Sequence, residues 1–262
     1  MQSLNDEECR QVESVKQLLQ KNFKDKLYAI YLYGSYVDGG LKHKSDLDIL
    51  VIIEREITDQ ERKQLAQNFL NISVPIGHAT ARALEITILE KGSITNKNHP
   101  YTYQLQYGEW LREELLKGEL LYSQSDPDIS ILLKTAQLHN ITIFGPDICD
   151  WLNPISYEQL IFAMQKTYPQ IIAHWKDDQD ECNQILALCR IAYTLDHKTI
   201  VTKDVAATWF LEFLSQIDQD ILQLIIDEYI GQGHEQCWLV LHDQLAKIVK
   251  ELQHKIEPLL FN

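Results

Sequence analysis

The 262-residue sequence predicts an α+β domain, a mixed sheet with helices, over residues 1–154, followed by an all-α helical bundle domain over residues 155–262. Three observations lead there. Strand-like apolar runs occur at 27–32, around 46–53 and at 84–89, all in the first half. Segments of helical spacing are interleaved with them. After Asn153-Pro154, helical periodicity stands alone.

Taken in order, Val12, Val15, Leu18 and Leu19 recur at helical spacing among charges, giving an amphipathic first helix over 5–21. Residues 27–32 read as a buried strand, broken by Gly34-Ser35, and Gly39-Gly40 makes a second break before the strand around 46–53. Thr58-Asp59-Gln60-Glu61 has the form of a capping box and starts a helix that runs to about residue 70. Pro75 and Gly77 interrupt. Leu84, Ile86 and Ile88 then alternate with Glu85 and Thr87, as in a strand with one apolar face. His99-Pro100-Tyr101 reads as a loop into a helix over 103–117 that contains Trp110. Ser125-Asp126-Pro127-Asp128 opens a helix running to about residue 139, since proline and acids suit a first turn. The second half divides into five helical segments, 157–175, 181–195, 202–213, 218–230 and 235–252, whose short connections suit a bundle.

Composition narrows the functional classes. Apolar residues make up 45% of the chain and charged residues 24%, as in a soluble globular protein. No apolar run approaches the ~18 residues of a membrane span. The net charge of −14 excludes a general nucleic-acid binder, which needs a basic face for phosphates, and suits a cationic ligand or mere solubility equally. Five scattered cysteines without a Cys-x-x-Cys pair predict neither a disulfide framework nor a zinc site, and fit a reducing cytoplasm. The expected protein is a cytoplasmic monomer, because no coiled-coil repeat or outstanding apolar face is readable.

Asp46 and Asp48, at i and i+2, point to one side of their strand while Leu47 and Ile49 point to the other. Two adjacent carboxylates repel, a cost that a divalent cation removes, and hard oxygen donors suit Mg²⁺. Glu85 lies on the polar face of its own strand. Should the two strands be neighbours, three carboxylates meet at one end of the sheet, a constellation that can hold a metal against nucleotide phosphates. Gly34-Ser35 complements it, because glycine allows close approach of a phosphate and serine supplies a donor. Neither the Walker nor the Rossmann glycine pattern is present.

The pairing of Gly34-Ser35 with Ser45-Asp46-Leu47-Asp48 resembles the signature of the DNA polymerase β-like nucleotidyltransferase superfamily. Within it, Leu32-Tyr33-Gly34-Ser35, Val37-Asp38-Gly39-Gly40-Leu41-Lys42, Tyr107-Gly108-Glu109-Trp110, Cys189-Arg190-Ile191 and Thr202-Lys203-Asp204-Val205-Ala206-Ala207 look like the aminoglycoside adenylyltransferases. Those enzymes modify the 3″-hydroxyl of streptomycin and the 9-hydroxyl of spectinomycin. The likeness runs through both halves of the chain.

This resemblance implies a nucleotidyltransferase domain followed by a helical domain that contributes to substrate and nucleotide binding. It implies that Asp46, Asp48 and Glu85 bind Mg²⁺, with Glu85 also the general base. Ser35 and Ser45 would contact the phosphates of ATP, the co-substrate, and Asp128, Arg190, Lys203 and Tyr229 fall on positions associated with ATP. Trp110, Asp180 and Asn183 match the drug site. Asp180-Glu181, with Asp178 in the same acidic run, would meet the drug's cationic groups. One departure bears on the acceptor. Members handling both drugs carry a tryptophan and an aspartate where this chain has Ile171 and Lys176. Either the streptomycin contacts shift one turn, to Trp175, Asp177 and Asp178, or the enzyme is mainly a spectinomycin 9-adenylyltransferase. The alternatives are a related enzyme with another acceptor and a non-enzymatic nucleotide sensor. The histidines and cysteines have no metal-ligand spacing.

Overall fold

In the computed structural model the chain divides into two compact units, Met1–Ile155 and Ser156–Asn262. The structure describes residues 4–38, 41, 45–96, 100–119, 121–176, 180–233 and 238–261. The first unit is a six-stranded mixed sheet with helices, and the second is helical.

Helix α1 (Asp6–Phe23) starts at a capping box in which Asn5 accepts from the Glu8 amide and the Glu8 carboxylate accepts from the Asn5 amide. Strand β1 (Leu27–Tyr33) leads into a one-turn 3-10 segment, Gly34–Tyr36, and then to β2 (Leu47–Ile53). Helix α2 (Asp59–Ile72) begins at the expected Thr58/Glu61 capping box and returns the chain to β3 (Leu84–Glu90). Such a crossover makes a parallel pair, and β2 and β3 are the parallel strands of the sheet. The short helix α3 (Lys91–Thr95) precedes β4 (Thr102–Tyr107), which is followed by a 3-10 turn at Glu109–Leu111, α4 (Arg112–Leu116) and β5 (Gln124–Ser125). Helix α5 (Ile129–Leu138) and β6 (Ile141–Phe144) complete the unit. Strand order is β5-β4-β3-β2-β1-β6.

Two sequence expectations need correction here. Residues 102–107 form a strand, not the start of a helix; Leu105 and Tyr107 are buried while Gln106 faces outward, a period of two that Gly108 ends. Strand β6 lies in a segment to which the sequence pattern assigned no element. It pairs with β1 as an edge strand only four residues long, too short for its alternation to register.

Alternation divides each central strand between two faces. Leu47, Ile49, Val51 and Ile53 join Leu84, Ile86 and Ile88 in the core beneath α1 and α2, against Val12, Val15, Leu19, Leu65 and Phe69. Asp48 and Glu85 lie on the other face. Gln11, buried on α1, donates to the carbonyls of Ile72 and Arg82 (3.0 and 2.9 Å) and accepts from the Arg82 amide (2.8 Å), clamping both ends of the segment that enters β3.

The second unit contains α6 (Tyr157–His174), α7 (Glu181–His197), α8 (Lys203–Phe210), α9 (Gln216–Tyr229) and α10 (His242–Leu260). Helix α7 is central, in contact with α6, α8 and α10, and it buries Ile185, Leu186, Leu188, Cys189 and Ala192. The last helix starts seven residues later than its periodicity suggested and runs on through Pro258. Among the described residues, no helix is long and apolar enough to cross a membrane.

Phe69 is fully buried and packs on Tyr107 with ring centroids 5.8 Å apart. Phe69→Ala should cost about 3–5 kcal/mol in urea unfolding, and a loss below ~1 kcal/mol contradicts this core. Glu61, held by Arg55 and the Thr58 amide, has its carboxyl pKa pushed down to about 2. A depressed folded-state pKa gives stability that is present above the ordinary carboxyl value of about 4.5 and lost as pH falls toward 2. Wild type should therefore melt higher than Glu61→Gln at neutral pH, with the gap closing in acid; a pH-independent gap contradicts it.

Candidate active site

Register brings the carboxylates together. In the parallel β2–β3 pair, Asp48 stands directly beside Glu85, and Asp48 also faces Tyr33 across the antiparallel β1–β2 pair. Asp46 lies one pleat before Asp48, and Ser45 precedes it; all four side chains are partly exposed. The sheet therefore collects Asp46, Asp48 and Glu85 where β1 ends and β2 and β3 begin. Among the described residues, no three His, Cys, Asp or Glu side chains already close on a metal-sized point.

Gly34 makes the neighbouring turn possible. Its φ is +68°, and a Cβ there would lie 2.1 Å from Asp48 Oδ2. Only glycine lets the loop lie this close to the carboxylate. The Gly34 carbonyl accepts from the amides of Val37 and Asp38, both at 3.0 Å, which shapes the turn carrying Ser35. Asp38 pairs with His139 at the end of α5, 2.5 Å apart. Burial raises the Asp38 carboxyl pKa, and His139 partly offsets the rise.

Trp110 is half exposed, in the turn after β4 rather than in a helix interior. Its ring folds back over Gly108, where a Cβ would lie 2.2 Å from the ring carbons. The adjacent Glu109 had no role of its own in the sequence, where it stood only within the family-like stretch Tyr107-Gly108-Glu109-Trp110 of an expected helix. Its side chain is 4% exposed. It accepts from the Tyr107 hydroxyl at 2.8 Å, from the Ser73 hydroxyl, and from Arg112 Nε and Nη2. Burial acts to raise its pKa, but these donors outweigh it and hold the carboxyl below its usual value.

Asp128 lies at the N-cap position of α5 in the same unit, its amide donating to Asp126 Oδ1 at 2.8 Å. In the helical unit, Asp180 accepts from Asn183 and Gln184 at 3.3 and 3.0 Å, and Asn183 in turn accepts from Lys203 Nζ at the start of α8. Arg190 follows Asn183 by seven residues, two turns along one face of α7. Tyr229 ends α9. Asn183 and Lys203 are thus in contact, and Arg190 lies two turns further along the same face of α7. Asp178 lies outside the described residues. Two expectations change. Glu181 is buried and bound to His242 at 3.0 Å, so its carboxylate braces the helical unit. Trp175, the alternative stacking residue, is 5% exposed and packs against His242.

The family "Polymerase beta, Nucleotidyltransferase" matches residues 13–101, and "Aminoglycoside adenylyltransferase, C-terminal domain" matches residues 150–255. A spectinomycin 9-adenylyltransferase of Campylobacter jejuni is 33% identical over 251 residues, 96% of each chain. An aminoglycoside (3″)(9) adenylyltransferase of Escherichia coli is 32% identical over 94% of each chain. The crystal structure of a spectinomycin adenyltransferase from Enterococcus faecialis, solved with ATP and spectinomycin, has a TM-score of 0.85 at 30% identity and covers 94% of this chain and 99% of that one. Similarity of this extent, through both units, makes the chain a member of the aminoglycoside adenylyltransferase family.

Proposed function

We propose that the protein transfers AMP from ATP to the 9-hydroxyl of spectinomycin in the bacterial cytoplasm and so confers resistance. The observation that carries the chemistry is the register of Asp48 with Glu85 beside Gly34. The names of the relatives support the acceptor. Streptomycin lacks its expected contacts. Ile171 and Lys176 stand at the departing positions, and Trp175 is buried and cannot offer the missing stacking face.

The donor set fits Mg²⁺. Asp46, Asp48 and Glu85 offer hard carboxylate oxygens on one sheet face, and Gly34 leaves the room beside Asp48 that a side chain would fill. When bound there, the ion would neutralise phosphate charge and help pyrophosphate depart. Glu85 takes the proton from the 9-hydroxyl as its oxygen attacks the α-phosphorus, and the bond from that phosphorus to the β-phosphate bridging oxygen breaks, releasing pyrophosphate. Ser35 donates its hydroxyl to the triphosphate from the Gly34 turn, with Ser45 beside it. Arg190 and Lys203 supply cations for the same group. Asp128 and Tyr229 complete the ATP contacts. Trp110, Asp180, Asn183 and Asp178 bind the drug, the acids meeting its ammonium groups. The enzyme acts as a monomer.

Pyrophosphate release with ATP and Mg²⁺ should occur with spectinomycin and stay at background with streptomycin or no acceptor. Release with streptomycin alone overturns the acceptor assignment, and release with neither drug overturns the reaction. Chelation of divalent ions should abolish release, and Mg²⁺ should restore it. Glu85→Gln should lower turnover by about 10²-fold or more; wild-type turnover removes Glu85 as base. Gly34→Ala, which pushes against Asp48 and strains the backbone by roughly 1–2 kcal/mol, should lose turnover well beyond its loss of stability. A variant that melts lower yet turns over normally contradicts that account.

A further inference from the structure

We propose that Ser73 and Glu109 are positioning residues that fix where β3 begins and hence where Glu85 stands; the inference rests on the reading of Glu85 as general base. The amide of Leu84, the first residue of β3, donates to Ser73 Oγ at 3.0 Å. The Ser73 hydroxyl donates onward to Glu109. Glu109 is fixed in turn by the Tyr107 hydroxyl (2.8 Å) and by Arg112, whose Nη2 also donates to the Ser73 carbonyl (3.2 Å) and the Leu70 carbonyl (3.4 Å). One buried carboxylate thus ties together the end of α2, the start of β3 and the end of β4, where Tyr107 pairs with Ile86.

The tie acts on Glu85 by the shortest covalent route. Glu85 follows Leu84 directly: the Leu84 amide fixes the planar unit that ends at the Leu84 Cα, and one further planar peptide joins that Cα to the Glu85 Cα, so holding the amide narrows where Glu85 can stand. Register then carries the shift into the Asp48–Glu85 pairing. Parallel pairing alone leaves this end of β3 exposed to fraying, because Leu84 and Glu85 precede Ile86, the first residue paired with β4. The Ser73 hydroxyl supplies a fixed partner at that position. Glu109 itself is no candidate base. It is buried, and three other side chains donate to it, one of them the Arg112 guanidinium.

Displacing a reacting group by 1 Å can cost about 10²-fold in rate, so losing one bond of this chain should cost about tenfold. The test uses the full-length protein with Ser73→Ala, Glu109→Gln and Glu85→Gln side by side. Ser73→Ala removes one oxygen and leaves the Glu109–Arg112 pair in place; Glu109→Gln is the second variant, expected to lose more. Kinetics with ATP, Mg²⁺ and spectinomycin are read together with hydrogen exchange of the Leu84 amide in the ligand-free protein. The expected result for Ser73→Ala is a kcat lower by about tenfold, KM values within about twofold, and faster Leu84 exchange. Wild-type kcat in Ser73→Ala overturns the proposal, as does a loss carried by KM or one with unchanged Leu84 exchange. Should Glu85→Gln keep full turnover, the general-base reading falls; should it lose turnover while Ser73→Ala does not, only the positioning role falls.

Discussion

Repulsion between Asp48 and Glu85 is the constraint around which the first unit is arranged. The two residues are register partners in adjacent parallel strands, with Asp46 one pleat away. Neighbouring strands lie about 4.8 Å apart, which brings two carboxylates in register close enough to repel. Nothing in strand propensity favours that arrangement. It is sustained because the opposite faces of the same residues' neighbours, Leu47, Ile49, Leu84 and Ile86, are locked in a core with α1 and α2. A one-residue slip would turn every one of those apolar side chains outward, so packing sets the register and the carboxylates follow.

The surrounding devices serve that register. Gly34 takes a left-handed conformation so that the Gly-Ser turn can lie against Asp48. The Gln11 amide clamps the chain before β3, and the Ser73–Glu109–Arg112 chain holds the strand's first amide. In the helical unit the polar links from Asp180 through Asn183 to Lys203 order side chains proposed for two different ligands. Cost at the site is met by rigidity in its support, as functional strain generally is.

Much of this was legible in the residues. Asp48 on the polar face of its strand, the alternation from Leu84 to Leu89 and the Thr58/Glu61 capping box each carry their own physical signature and each takes the predicted local form, while Asp46 falls one residue before β2. Strand adjacency was only conditional in the sequence, because pairing partners are set by long-range packing. Residues 102–107 were misread since the charged stretch after Gly108 extends an apparently helical pattern back across the glycine. The role of Glu109 was not readable for the same reason. Its partners Ser73, Tyr107 and Arg112 include one 36 residues away, and no local pattern announces such a contact. Trp175 and Glu181 show the opposite error, in which plausible ligand groups turn out to be packing groups joined through His242.

The central claim is that the Asp48–Glu85 register is a metal and proton-transfer site beside the acceptor hydroxyl. A crystal structure with Mg²⁺, a non-hydrolysable ATP analogue and spectinomycin tests it most directly. The account predicts Mg²⁺ on Asp46, Asp48 and Glu85, with a Glu85 carboxylate oxygen about 2.6–3.2 Å from the 9-hydroxyl. Mg²⁺ held elsewhere, or a 9-hydroxyl out of reach of Glu85, would contradict it.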